Sequence, residues 1–427
     1  MALVKQPVKG MRDILPNEKV IRDDVFEKIK EVYYSYGFSL IETPIIEHYE
    51  NLSCNNGGEN EKLTFHILKR GEKLDEAIKN GKEFCDCGLR YDLTMPLCRF
   101  YANNKDNLPY PFKVFQFGDV FRADRPQKGR SRQFKQCDID IFGDNSIDAE
   151  IELISATTTF LKKLNGLNFT IKINDRRILR AMCNKVGFPV ESYGDVLVAL
   201  DKVDKIGIDG VYDELVKLGI DEILCKNYVN LLKELSNSND KLNFIKAYFN
   251  DEVIDKIVED LEDVIKIINE INGFTIQFDL SIVRGMGYYT GTIYEIYCDN
   301  FGSAIGGGGR YDNMVGDFIG QNVPAVGISI GFERLVMLLL ENNCFNTNID
   351  KNKIAVLYDA KNAQINKVKL YKIVSNLRKT KTVYLNKYNK NVKKQKDDLQ
   401  TLGYRQIFDI KVNEDLNNVE LLNLLNI

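Results

Sequence analysis

Between positions 136 and 141 polar and apolar residues alternate one for one. Gln136, Asp138 and Asp140 fall on one side, and Cys137, Ile139 and Ile141 on the other. That is the period of a β-strand with one polar face. The apolar-rich run from residue 115 predicts a partner strand, and residues 125–132 between them predict a hairpin loop. Elsewhere the period is helical. Ile21, Val25, Ile29 and Val32 predict a helix from an Asn17 cap to about Tyr36, stopped by Gly37. Residues 39–45 read as a strand interrupted by Pro44, which suits a sheet edge or an interface. A polar loop over 51–61 leads to a short strand near 63–68 and a further polar stretch. A helix starts near Met95 with Pro96 in its first turn. After the hairpin the pattern gives a helix over 149–164, a strand over 169–174 and a helix over 175–186. Residues from about 187 to 270 are helical in period with few strand signals, which predicts an insertion into a sheet-bearing domain. Strand patterns return over 274–283 and 292–298, and the segment 327–331 leads into a helix from Phe332 to about Glu341. A polar linker over 342–352 ends a domain of residues 1–341. Residues 353–427 form a small α/β unit, with a strand over 354–358 and a helix over 363–378. The expected class is α+β, a mostly antiparallel sheet flanked by helices.

Composition narrows this picture. The 427 residues allow two or three domains. Hydrophobic content of 44% and charged content of 28% are those of a soluble globular chain. A net charge of -3 gives no overall attraction to nucleic acid, so any such binding needs a local patch. One exists: between Lys367 and Lys396 there are 11 Lys or Arg and no Asp or Glu, with Tyr371, Tyr384 and Tyr388 interleaved. Such a stretch is either a solvated face or a surface for nucleic-acid backbone and bases. Nine scattered cysteines fit free thiols in a reducing compartment. Cys85-Asp-Cys87 lacks partners at zinc spacing, so no metal site is expected there. No signal-peptide core and no 18-residue apolar run is present, and a cytoplasmic protein without membrane contact is expected. With only His48 and His66 in the chain, histidine-based catalysis is a poor candidate. No Rossmann or P-loop glycine pattern occurs, so neither device would hold a nucleotide.

The hairpin carries the candidate chemistry. Arg122, Arg125, Arg130 and Arg132 crowd its loop, with Asp124 among them. Arginine forks match phosphate and carboxylate oxygens. Arginines at one end and carboxylates along one face suit a substrate with an anionic and a cationic part, such as a nucleotide phosphate and the head of an amino acid.

Several ordered segments resemble the class II aminoacyl-tRNA synthetases, and the histidyl-tRNA synthetase family most closely. The hairpin, with FRADRPQKGRSRQF, is similar to that class's motif 2, Gly327-Ile-Ser-Ile-Gly-Phe-Glu-Arg334 to motif 3, and the helix and strand leading to Pro44 to motif 1. Val283-Arg-Gly-Met-Gly-Tyr-Tyr-Thr-Gly291, Gly307-Gly-Gly-Arg-Tyr-Asp312 and the lead-in Gly10-Met-Arg-Asp-Ile-Leu-Pro16 resemble segments of the histidine enzymes. The resemblance implies a homodimer joined through motif 1 and a C-terminal anticodon-binding domain. It implies a reaction in which L-histidine and ATP, with Mg²⁺, give histidyl-adenylate, whose acyl group passes to the 3′ end of tRNA(His).

The same resemblance implies roles for residues. Arg122 and Arg284 would clamp the α-phosphate and the histidine carboxylate. Asp124 would belong to the ATP site, and Arg334 would hold the γ-phosphate. Asp92 and Thr94 would bind the amino group, Gln136 and Asp140 would make further histidine contacts, and Tyr288 and Tyr289 would lie near the imidazole. Gln127 would read the extra 5′ nucleotide of the tRNA, and Lys128, Arg130 and Arg132 would meet acceptor-stem phosphates. The glycines at 306–309 would permit close backbone approach to a ligand. Gly287 departs from the family pattern, where an aspartate is common. A non-catalytic relative that regulates a phosphoribosyltransferase would share the fold, but the intact Arg122, Gln127, Arg284 and Arg334 favour the enzyme.

Overall fold

In the computed structural model the described residues are 3–53, 63–284, 287–299, 301–342, 344, 353–361, 365–418 and 421. Most of the expected loop at 51–61, the residues Gly285 and Met286, and nearly all of the 342–352 linker lie outside them. The chain divides into two compact units. One comprises Met1–Asp13 and Val25–Cys344, the other Ile14–Asp24 and Phe345–Ile427.

The first unit is built on an eight-stranded sheet of β1 (Ser39–Ile41), β5 (Phe112–Phe121), β6 (Gln133–Phe142), β7 (Phe169–Asp175), β8 (Thr275–Phe278), β9 (Thr292–Cys298), β10 (Gly306–Arg310) and β11 (Ala325–Gly331). The order is β1-β5-β6-β11-β10-β9-β7-β8. Only β1–β5 and β7–β8 pair in parallel; the rest are antiparallel, as expected. A smaller sheet has β4 (Cys85–Leu89) between β2 (Ile46–His48) and β3 (His66–Leu68).

The hairpin forms with ten residues in each strand, Gly118 facing Gln136 and Gln116 facing Asp138. β6 is not a half-buried strand. It lies between β5 and β11, and Gln136, Asp138 and Asp140 are buried along with Cys137, Ile139 and Ile141. The alternation separates a core face from a cavity face, not a core face from water.

Local chemistry sets several boundaries. The first helix begins at Pro16, one residue before the expected Asn17 cap, because a proline's fixed φ suits the first helical position. Gly37 ends it with φ at 79°, and Phe38 N–H returns to the Tyr33 carbonyl. Of the strand expected over 39–45 only Ser39–Ile41 forms, as β1 at a sheet edge; the chain passes Pro44 and begins β2 of the other sheet at Ile46. The polar stretch contains helix Glu72–Asn80, whose short apolar set of Leu74, Ala77 and Ile78 buries only Ala77. The helix expected over 363–378 is Lys367–Leu377, capped by the Asn366 side chain on Lys369 N–H. The insertion is helical as expected. Asp221, Asp240 and Asp251 cap helices Glu222–Asn237, Lys241–Phe249 and Glu252–Asn272.

In the second unit β12 (Lys353–Tyr358) lies between β13 (Thr382–Lys387) and β14 (Gln406–Ile410), all parallel. Apolar side chains pack on both faces of this sheet. Lys390, Lys393 and Lys394 of the basic stretch are exposed. Among the described residues no helix is long and apolar enough to cross a membrane.

Candidate active site

A cavity of about 430 Å³ opens on the polar face of β6 and is lined by parts of β10, β11 and the segments around Asp92 and Tyr288. Glycines set its width. A Cβ on Gly327 would lie 1.8 Å from Asp140 Oδ1, and one on Gly307 would lie 2.6 Å from Arg284 Nη1. Gly306, Gly307 and Gly308 line the cavity, but the close approach they permit is to protein groups, Arg284 and the neighbouring strands. Gly287 has no atom within 4 Å of a built Cβ, so sterics do not require glycine there.

One part of the lining is cationic. Arg122 leaves the end of β5 and donates from Nε to the Tyr91 carbonyl at 3.1 Å. Its guanidinium lies 4.2 Å from the Tyr91 ring centre and 5.2 Å from that of Phe134, which fixes the plane of the fork. Arg284 sits at positive φ, 58°, and pairs with Glu295 at 3.1 Å. Burial works to lower its pKa, but the facing Tyr289 and Glu295 carry it above the ordinary arginine value, so the charge is held. Arg334, in the first turn of helix Phe332–Glu341, donates to the carbonyls of Ala304 and Gly129. Burial lowers its pKa, and the positive charges of Arg130 and Arg122 lower it further. Crowded like charges of this kind are relieved by a polyanion. Asp124 and Arg130 also line the cavity.

The other part is acidic and buried. Asp92 accepts Met95 N–H at 3.1 Å beside Thr94, the first residue of helix Thr94–Asn104. Asp140 accepts a hydrogen bond from Tyr311 Oη at 2.5 Å. Tyr288 lies against Tyr289 with the rings tilted by 56° at 4.7 Å and meets Tyr311 edge-on at 6.1 Å. Burial raises the carboxyls of Asp92 and Asp140, and pushes Asp138 up to about 7. Such a wall gains from an entering cation.

The Asp138 shift predicts a pH dependence. An unfolded aspartate titrates near pH 4, roughly, so between there and about 7 the native state holds a proton that the unfolded state has released. Raising pH through that window therefore costs stability. Melting curves of ligand-free wild type and Asp138→Asn should show the wild type losing ground to the variant as pH rises, and parallel curves would contradict the assignment.

The structure brings together Asp92, Thr94, Arg122, Asp124, Arg130, Gln136, Asp140, Arg284, Tyr288, Tyr289 and Arg334 around one cavity. Gln127, Lys128 and Arg132 are not in its lining. Gln127 and Arg130 close a tight turn through their backbones, and Lys128 pairs with Glu341 at 2.8 Å. Arg132 is tied to the lead-in, its N–H on the Gly10 carbonyl at 2.7 Å and its Nε on the Asp124 carbonyl at 3.1 Å. Sequence reasoning gave no role to Glu295, Tyr311 or Ser329. Alternation in β9 and β11 could have placed Glu295 and Ser329 on a strand face, but only the sheet order puts Ser329 opposite Asp138, and only the path of the segment after β8 brings Arg284 to Glu295.

An antiparallel sheet with a long hairpin, and a cavity joining arginines to buried carboxylates on that hairpin, define the catalytic domain of a class II aminoacyl-tRNA synthetase. The family model for histidyl-tRNA synthetase matches residues 10–335, and the chain belongs to that family. It is 43% identical over 365 residues to a probable histidine–tRNA ligase of Tropheryma whipplei strain Twist, covering 83% of this chain and 84% of that one. It is 43% identical over 349 residues to a histidine–tRNA ligase of Leifsonia xyli, covering 79% and 81%. A crystal structure of histidyl-tRNA synthetase from Nostoc superposes with a TM-score of 0.78 at 27% identity, covering 97% and 93%. A Bacillus halodurans structure described as an ATP phosphoribosyltransferase regulatory subunit/histidyl-tRNA synthetase shares the fold, with a TM-score of 0.76 at 20% identity, covering 96% and 99%.

Proposed function

We propose that the protein activates L-histidine with ATP and transfers it to tRNA(His), with the cavity on β6 as the site of both steps. The observation that carries this reading is the pairing in one cavity of arginines with buried carboxylates, family membership aside. A carboxylate oxygen of histidine attacks the α-phosphorus, the bond to the β-phosphate oxygen breaks, and pyrophosphate leaves. A hydroxyl of the terminal tRNA ribose then attacks the acyl carbon, and AMP leaves. Neither step needs a protein nucleophile; positioning and fixed positive charge supply the catalysis.

Arg122 and Arg284 meet the carboxylate and α-phosphate, where negative charge grows. Arg334, with the helix N-terminus behind it, takes the γ-phosphate. Asp92, Thr94 and Gln136 receive the ammonium, and Asp140 with Tyr288 and Tyr289 surrounds the imidazole. Groups that hydrogen-bond a polar side chain are left unpaired by a wrong substrate, so discrimination of about 10⁴-fold is attainable without editing. ATP would enter with Mg²⁺, which would spread phosphate charge and be held mainly by phosphate oxygens and water; Asp124, one of the carboxylates in the cavity lining, would face its outer shell.

Gln127, Lys128, Arg130 and Arg132 face the tRNA acceptor end, and residues 353–427 take the anticodon arm. The exposed Ile46 and Leu68 of the small sheet and the neighbouring Ile45 support a homodimer through the motif 1 region. The free thiols of the described cysteines and the role in translation support a cytoplasmic location.

Two measurements test this reading. Unfractionated tRNA incubated with the protein, ATP and labelled histidine should carry label on tRNA(His) alone; no charging would refute the proposal. The triple variant Lys390→Glu, Lys393→Glu, Lys394→Glu should slow charging by about tenfold or more while leaving pyrophosphate exchange intact. Equal loss in both assays would remove the tRNA role of the second unit.

A further inference from the structure

Asp138 and Ser329 face each other across β6 and β11 on the cavity side, two residues along β6 from Gln136. Ser329 donates its hydroxyl proton to Asp138 Oδ1. A serine hydroxyl has one proton, so the same oxygen can then only accept. It accepts from Gln136 Nε2 at 2.9 Å. The amide is thereby held with its nitrogen on Ser329 and its oxygen turned away. Gln136 Oε1 is buried, and among the described residues it has no hydrogen-bond partner. A buried acceptor left open costs free energy unless a ligand donor meets it.

We propose that Asp138 and Ser329 are a positioning pair that fixes the orientation of the Gln136 amide, so that Oε1 is presented to the α-ammonium of the amino-acid substrate. The pair touches no substrate atom. Without Asp138 the serine proton is free to turn toward Gln136, the amide can reverse, and an NH₂ group then faces a cation. This explains why a costly buried carboxylate stands on the wall with no direct contact assigned to it. The inference rests on the histidine-activating reading of the same cavity.

The test compares L-histidine with 3-(imidazol-4-yl)propionate, the same molecule without its amino group, as ligands competing in ATP–pyrophosphate exchange. Ser329→Ala and Asp138→Ala should each reduce the preference for histidine over the amine-free analogue by about tenfold or more, with the KM for ATP unchanged. Asp138→Asn keeps an oxygen that can accept the serine proton and should retain most of the preference. A merely structural role would weaken both ligands and ATP together, and that outcome overturns the proposal. So does an unchanged preference in the two alanine variants. Wild-type protein that shows no histidine-dependent exchange would instead overturn the functional reading itself, and the pair with it.

Discussion

Replacing Arg284 with alanine should lower the rate of histidine-dependent ATP–pyrophosphate exchange by about 10²- to 10³-fold, the loss expected when one donor to a developing oxyanion is removed. Arg284 lines the cavity in left-handed backbone, paired with Glu295 at 3.1 Å and with its side chain only 21% exposed. A non-glycine residue in that conformation is held there by its surroundings. The effect should fall on the chemical step, because Glu295 also accepts Tyr297 Oη at 2.7 Å and is not left unpaired when the arginine goes. The melting temperature should therefore stay close to that of the wild type. Arg284→Lys keeps a charge but not the planar fork, and should recover part of the rate. A variant with full exchange activity would remove Arg284 from the mechanism.

The second large effect concerns stability. Arg310 lies in the glycine-rich segment next to the cavity-lining Gly306, Gly307 and Gly308, but it is not part of the lining. Its Nη2 and Nε instead reach Glu150 at 2.6 and 2.8 Å, and it also donates to the carbonyls of Asp144 and Ser146. Side-chain exposures of 9% for Arg310 and 1% for Glu150 make this a buried pair. Burial raises the Glu150 carboxyl while Arg310 lowers it again, so the partner is what keeps the charge tenable. Glu150→Ala leaves the buried guanidinium with only the longer contact to Asp312, at 3.4 Å, as a counter-ion and should cost about 3 kcal/mol or more in denaturant unfolding. A loss under about 1 kcal/mol would place the pair with ordinary surface bridges. Arg284 and Arg310 lie on neighbouring motifs, yet one should mainly change rate and the other mainly stability.

Much of this was readable from pattern and spacing. The two hairpin strands, helix Phe332–Glu341, strand β9 and the helical insertion came from periods of 2 and 3.6 with clear stops. Helix Glu72–Asn80 and strand β4 were missed, because their apolar sets, Leu74, Ala77 and Ile78 in one and Cys85, Cys87 and Leu89 in the other, are short and set among charged or polar residues. In the site, the face holding Gln136, Asp138 and Asp140 was visible from alternation alone. Its meaning was not, since a solvated strand face alternates in the same way and only the position of β6 inside the sheet encloses it. The resemblance to family motifs supplied candidates one by one. It could not say that Arg132 is tied to Gly10, that Lys128 is paired with Glu341, or that Ser329 links Asp138 to Gln136, because those contacts depend on the relative placement of distant segments.

The central claim is that one cavity binds histidine and ATP and joins them. The most direct measurement is exchange of radiolabelled pyrophosphate into ATP by the purified protein, with each of the twenty amino acids supplied in turn. The account predicts exchange with L-histidine and background with the others. Absence of exchange with histidine, or exchange driven by a different amino acid, would contradict it.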